Sequence, residues 1–434
     1  MKDLVKTLKN IWKIEELRQR IVLTFTLILI YRVGSYVVLP GVNSAGLNQG
    51  GPSGLAGLLD LFAGGAFSRA SIFALGIMPY ISASIIMQLL GIAVPSIQKM
   101  QREGESGRKK LNQWTRVLTI FITAFQAPGY IATSVPAAAQ TESFSYPLTI
   151  MILIAGTMFI MWLGERITDK GIGNRISLLI MIGIIAKLPG AFAQELVSRH
   201  TSGGYVVLLV EVVLLLLVIA FSILLVQGTR RIPVQFAKRI VGNKQYGGVR
   251  NYIPLKVNSA GVMPIIFAQA IMFIPMYINQ ATEGRWFSGL VNFEGFWYNF
   301  IFAIMIILFT YFYTAIMVNP RQMAEEMKRN GGFIPGVKPG KQTESFIDSL
   351  ISRITLPGAI FLALVAILPA FAMMIGIKQQ FAYFYGGTSL LIMVGVVLDT
   401  LQQIETHLLS RHYDGLMKSG KIKGRGQQMP SMVS

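Results

Sequence analysis

Apolar residues come along this chain in blocks of about 20, parted by shorter polar stretches, and a helix of that length is what a hydrocarbon core of roughly 30 Å requires. The pattern predicts ten membrane spans, at residues 21–39, 71–94, 115–134, 148–163, 176–196, 205–227, 258–278, 296–318, 354–375 and 388–409. Lys187 and Pro189 interrupt the fifth. One further block breaks the rhythm. Residues 55–68 are apolar but would reach only about 21 Å as a helix. Gly64-Gly65 ends that run, Arg69 follows, and the next apolar stretch, 71–90, is long enough to cross. A half-length segment joined to a full one predicts chain that enters the membrane and stops. Lipid cannot satisfy its N–H and C=O groups, so protein or a water-filled cavity has to surround it.

Composition agrees with an integral membrane protein. Of 434 residues, 53% are hydrophobic and 14% charged, against about 25% charged in soluble domains. The net charge of +19 admits nucleic-acid binding in principle, but its distribution points first to orientation in a membrane. Of the 39 Lys and Arg, 33 lie in the N-terminus, the even-numbered connections and the C-terminal tail. The odd-numbered connections hold Arg69, Arg199, Arg285 and Lys378, while Arg32 and Lys187 fall inside spans. This asymmetry predicts a multi-pass protein with both termini in the cytoplasm. Residues 1–20 read as an interfacial amphipathic segment with no cleavable signal, and 410–434 as a cytoplasmic tail. With no cysteine there is neither a disulfide framework nor a thiolate metal site.

Ten spans divide into five and five, 21–196 and 197–409, and an odd number per half means that the second crosses in the opposite sense. Inverted halves place a functional site at their interface. Two cytoplasmic connections are long: 228–257 alternates apolar and charged residues around Gly turns, a hairpin signature, and 319–353 begins as an amphipathic helix at 322–330. Such basic loops read as docking surfaces for an acidic protein or ribosomal RNA rather than as orientation charge alone. Catalytic chemistry is not visible. Arg32, Lys187, Glu211 and Asp399 are the ionisable groups placed within spans, and His200, His407 and His412 are scattered. Asp399 reads as a structural acceptor more readily than as a transport relay. The run 336–343, GVKPGKQT, has the wrong spacing for a phosphate loop, with Gln342 where a hydroxyl is needed. No enzyme and no cofactor are expected. Ile77 and Ile81, one helical turn apart around Pro79, read from periodicity alone as ordinary packing.

Five segments carry a resemblance: RASIFALGIMPYISASIIMQLL (69–90), EGESGRKK (103–110), GTMFIMWLGERITDKGIGN (156–174), PLKVNSAGVMPIIFA (254–268) and FIPGVKPGKQT (333–343). In order and spacing the chain resembles the SecY/Sec61-alpha family, the channel subunits of protein translocases. The resemblance implies an all-α polytopic protein: ten helices in two inverted five-helix halves around an hourglass pore closed by a plug helix. Matched by motif, the plug falls on about 55–68, with Leu58, Leu61, Phe62, Gly64 and Gly65. An aliphatic pore ring falls on Ile77, Ile81, Leu179, Ile266 and Ile392, and a lateral gate toward lipid on Ser82, Gln126 and Asn258. The basic loops match a docking surface for the SecA motor and for ribosomes, with Arg230, Arg231, Lys238, Arg239 and Lys338. The family commonly has Arg where Lys338 stands and Gly where Arg175 stands. The implied partners are SecE, SecG, SecA, the ribosome, signal-bearing preproteins and membrane lipid, in a bacterial cytoplasmic membrane. The rival readings are a secondary transporter, which calls for mid-membrane charges around a polar site, and a membrane-embedded enzyme.

Overall fold

The computed structural model describes residues 14–47, 55–172, 177–202, 204–236, 239–241, 244–246, 250–281, 289 and 295–418. The expected amphipathic segment before residue 14, Arg175, Lys238 and the tail beyond 418 lie outside the described residues. Every apolar block is helical over most of its length: α1 (Glu15–Gly34), α2 (Leu55–Phe62), α3 (Met78–Ala93), α4 (Pro95–Arg102), α5 (Glu105–Ser134), α6 (Tyr146–Lys170), α7 (Ser177–Ser202) and α8 (Gly204–Gln227). After the long connection come α9 (Met263–Ala281), α10 (Phe296–Met317), α11 (Pro320–Arg329), α12 (Lys341–Met374), α13 (Gln379–Ala382) and α14 (Gly387–Lys418). Seven helices among the described residues are long and apolar enough to cross a membrane, or eight if α3 and α4, bent by 106° at Val94, count as one broken span. The shorter α1 and α9 occupy two of the expected blocks. Lys187 and Pro189 do not break the fifth block, because α7 continues through both.

The second block differs from its expected start. Residues 71–77 are apolar yet not helical, and α3 begins only at Met78, with Pro79 in its first turn. The backbone of this stretch is satisfied elsewhere: Leu39 N–H donates to Ala70 O at 2.8 Å and Ile72 N–H to Val37 O at 2.9 Å. Proline lacks the N–H that a preceding helical turn would require and is tolerated in the first turn, so the helix starts there. Likewise α2 stops at Phe62, short of the expected 68, because Gly64 (φ 63°) and Gly65 (φ 86°) adopt left-handed backbone open to glycine at no steric cost.

The two long basic connections fold together. Strands β1 (Thr229–Phe236) and β4 (Arg250–Lys256) form the expected antiparallel hairpin, in register from Thr229 opposite Lys256 to Gln235 opposite Arg250. Between them lies a shorter pair, β2 (Arg239–Val241) with β3 (Lys244–Tyr246). The sequence did not signal the third strand: β5 (Gly332–Phe333), from the second connection, pairs with β1 at Gln235 and Phe236. Beneath this sheet Ile232, Val234 and Leu255 meet Met327 of α11, Ile334 and Ile347 at the base of α12. Asn319 starts α11 by accepting the Gln322 N–H on its side chain at 3.2 Å, with Pro320 in the first turn. One apolar core therefore unites two loops that the intervening spans separate in sequence.

Among the described residues α1, α3, α5 and α6 pack on one another, as do α8, α9, α10, α12 and α14. Helix α7 lies against α8, α13 and α14 and against the short α2. Helices α3 and α5 pack extensively with each other, as do α9 and α10, but neither pair makes an extensive contact with the other. Helix α7 thus links the second set to the short α2, and among the described residues no extensive contact joins the α3/α5 pair to the α9/α10 pair.

If Ile347 couples α12 to the loop sheet, Ile347→Ala should cost that small core about 2–5 kcal/mol. Mapped limited proteolysis should then show faster cleavage within 228–257 while the membrane helices stay intact.

Candidate pore, plug and gate

Four of the five proposed ring residues are buried, and Ile266 is half-buried against the same apolar cluster. They come from separate elements: Ile77 and Ile81 at the start of α3, Leu179 in the first turn of α7, Ile266 in α9 and Ile392 in α14. Leu58, Leu61 and Phe62 of α2 belong to that cluster too. The structure thus brings the ring and plug candidates into one continuous apolar mass containing residues from both sets of helices.

The polar seat of α2 was not visible in the sequence. Asp60 is buried and accepts from Lys187 Nζ of α7 at 2.6 Å on one oxygen and from the Ser68 N–H at 2.8 Å on the other. The Gly64 carbonyl accepts from Arg32 at 3.1 Å and Arg69 at 3.0 Å. Arg69 stacks over the Tyr36 ring at 4.1 Å and donates to Ser35 O at 3.3 Å. Tyr130 Oη donates to Phe67 O at 2.8 Å. Gly183 of α7 lies so close to Phe62 O that a β-carbon would collide with it. A lone acid in LLDLF and a lone lysine in an apolar helix were the available signals; their 127-residue separation hid the pairing.

Of the gate candidates, Ser82 and Gln126 are half-buried and Asn258 is buried. Asn258 Oδ1 has no hydrogen-bond partner among the described residues. On the loop sheet, Arg230 and Arg231 of β1 are exposed, as is Lys338 in the turn before α12. The backbone of Arg239 lies in β2. Asp399 is exposed and accepts from Gln403 Nε2, one turn on, at 3.4 Å.

A second charged cluster also escaped the sequence reading. Arg199, counted there as a loop charge, is half-buried at the end of α7 between Glu195 (3.0 Å) and Glu211 of α8, and donates to Gly376 O at 2.8 Å. Glu195 accepts the Lys378 N–H at 2.9 Å, and Tyr385 Oη donates to Glu211 O at 2.7 Å. Two carboxylates share one guanidinium, tying α7 to α8 and to the segment before α13.

Comparison with known proteins places these features in context. A family model described as SecY matches residues 71–401. The protein translocase subunit SecY of Thermotoga maritima is 42% identical over 437 residues, covering 96% of this chain and 99% of that protein. The same subunit of Chlamydia trachomatis is 40% identical, with 96% and 99% covered. Among solved structures, a protein-conducting channel aligns at a TM-score of 0.65 and 18% identity over 91% of this chain and 93% of that one. A SecY whose plug domain is described as stabilising the closed state aligns at 0.63 and 19%, with the same coverage. Sec61 in a canine ribosome–channel complex aligns at 0.60 and 17%, again over 91% and 93%. At these identities the structures support the fold.

Arg199→Met would strand Glu195 and Glu211, whose side chains are 0% and 5% exposed. The loss should be about 3–5 kcal/mol, read as a lower unfolding temperature in detergent. Glu211→Gln, which leaves Arg199 on Glu195, should cost less.

Proposed function

The chain belongs to the SecY family and is a subunit of a protein-conducting translocation channel, not an enzyme; we propose that Ile77, Ile81, Leu179, Ile266 and Ile392 form its pore ring and that 55–68 is its plug. The observation that carries this reading is their common apolar cluster, shared with Leu58, Leu61 and Phe62. A translocating polypeptide presents every side-chain type, so the constriction has to bind none of them well. Aliphatic side chains offer no hydrogen bonds or charges, can part and reclose, and exclude water and ions by dewetting when narrow. The plug adds a second barrier.

The lack of an extensive contact between the α3/α5 and α9/α10 pairs supports a lateral gate between them. A signal sequence is an apolar helix, and inserting it into the seam yields on the order of 25 cal/mol per Å² buried. Part of that energy opens the gate, and Ser82, Gln126 and Asn258 set its stiffness. The exposed cations Arg230, Arg231 and Lys338 support docking of the SecA motor or of a ribosome on the loop sheet, and Lys238 and Arg239 are further candidates by the family resemblance. A solved relative is a Sec61 in a ribosome–channel complex. SecE and SecG complete the translocase, and the substrates are signal-bearing preproteins and membrane-protein segments released to lipid. The protein sits in the bacterial cytoplasmic membrane, in two inverted halves at 21–196 and 197–409, with both termini, the loops at 228–257 and 319–353, and the tail 410–434 in the cytoplasm.

Ile81→Asp should hydrate the constriction and raise resting ion conductance in planar bilayers holding the assembled channel. A tight seal in that variant would remove Ile81 from the ring. Asn258→Leu replaces a buried, unpartnered oxygen with hydrocarbon and so stiffens the closed seam. Across a graded series of signals, this variant should require a more hydrophobic sequence for the same export; an unchanged threshold would exclude Asn258 from the gate.

A further inference from the structure

We infer that Asp60 and Lys187 form a latch, a positioning ion pair that sets how readily the plug leaves its seat. The inference rests on the plug assignment above and deepens it. The apolar face of α2, Leu58, Leu61 and Phe62, packs into the central cluster, but such contacts are non-directional and persist through small slides of one helix on another. The ion pair is different. Asp60 is the only carboxylate between residues 55 and 77, its side chain is 7% exposed, and Lys187 Nζ lies 2.6 Å from it. The lysine reaches it by laying its stem across Gly65: a β-carbon there would stand 2.6 Å from Lys187 Cε. Gly65 therefore serves the pair as well as the turn, where its φ is 86°.

Asp60 is held from both sides. Its second oxygen accepts the Ser68 N–H, so the same carboxylate closes the turn after α2 and docks that turn on α7. Arg32 and Arg69 hold the next carbonyl, Gly64 O. Three cations therefore converge on one acid and one carbonyl. With Asp60 neutralised, Lys187, Arg32 and Arg69 would face one another with no counter-charge in the plug. With Lys187 removed, Asp60 would keep its Ser68 bond but lose its tie to α7. A plug moving out of the axis has to break this pair and expose both charges. The latch accordingly raises the signal strength needed to open the channel and lowers the resting leak.

The chain has no cysteine, which permits a direct test on one folded population. Lys187→Cys, assembled with its partner subunits in planar bilayers, should raise resting conductance about tenfold, because the buried Asp60 carboxylate loses the one-third-exposed ammonium that ties it to α7. Export of a preprotein with a weakened signal should rise in parallel. Modifying that cysteine with 2-aminoethyl methanethiosulfonate restores a cation on a chain of lysine-like length and should return the seal; a neutral methanethiosulfonate should not. Rescue in the same membrane separates loss of the latch from misfolding. Asp60→Asn should leak similarly, and Asp60→Asn with Lys187→Cys should leak no more than either alone. A tight Lys187→Cys channel, equal effects of charged and neutral reagents, or additive leaks in the double variant would each overturn the latch. Deleting residues 55–65 is the control for the assignment beneath it. A leak there with a tight Lys187→Cys channel means that the plug stands and the latch falls; no leak in either means that the plug assignment itself fails.

Discussion

Backbone that is not helical cannot face hydrocarbon, because each N–H and C=O has to find a partner that lipid does not supply. The stretch from Ala63 to Ile77 lives under that constraint, and its solution organises the surrounding helices. Its amides and carbonyls are met by residues 37–39, by Ser71 Oγ on Ala66 O, by Tyr130 on Phe67 O and by the cations on Gly64 O. The close approach required is visible at Gly156, where a β-carbon would run into Ile72 O. A short helix with an irregular tail can sit amid the spans because α1, α5, α6 and α7 each present a group to it.

The two sets of helices are held unequally. Helix α7 is held firmly to the second set, in part by the Arg199 cluster, in which a half-buried guanidinium bridges carboxylates of α7 and α8 and a carbonyl ahead of α13. Between the α3/α5 and α9/α10 pairs no extensive contact forms, and Asn258 Oδ1 has no hydrogen-bond partner among the described residues. Removing a partner from a buried charged cluster costs far more than parting a few apolar side chains. On the lateral-gate reading proposed above, an opening between the α3/α5 and α9/α10 pairs leaves the Arg199 cluster intact.

Most of the helical layout was legible because an apolar block of about 20 residues announces itself without tertiary information. The β1–β4 hairpin was legible for a similar reason, its alternation and Gly turns being local. What escaped was non-local or depended on backbone satisfaction. The start of α3 was placed at 71 because Ser71–Ile77 is apolar; nothing nearby in sequence says that Val37 and Leu39 take its hydrogen bonds. Strand β5 is two residues long and gains its identity from Gln235 and Phe236, nearly 100 positions earlier. Arg199 read as a loop charge because its partner across the connection, Glu211, was assigned to a different span. The resemblance to a channel family supplied the ring positions, which periodicity alone treats as packing.

If the ring and plug proposed above seal the channel, sealing and release make opposite demands on one site, and two kinds of force divide them. A ring of aliphatic side chains adapts to any width of passing chain but cannot specify where a stopper should rest, since apolar contacts reward area and are indifferent to small slides. Ion pairs and charge-assisted hydrogen bonds are directional and short in range, so they specify a position well and are lost abruptly once it is left. Combining an apolar collar with a charged seat gives a closed state that is narrow and well defined, and an open state that grips nothing. The surplus of cations at that seat sharpens the contrast, because Arg32, Arg69 and Lys187 are tolerable together only while Asp60 and the Gly64 carbonyl lie among them.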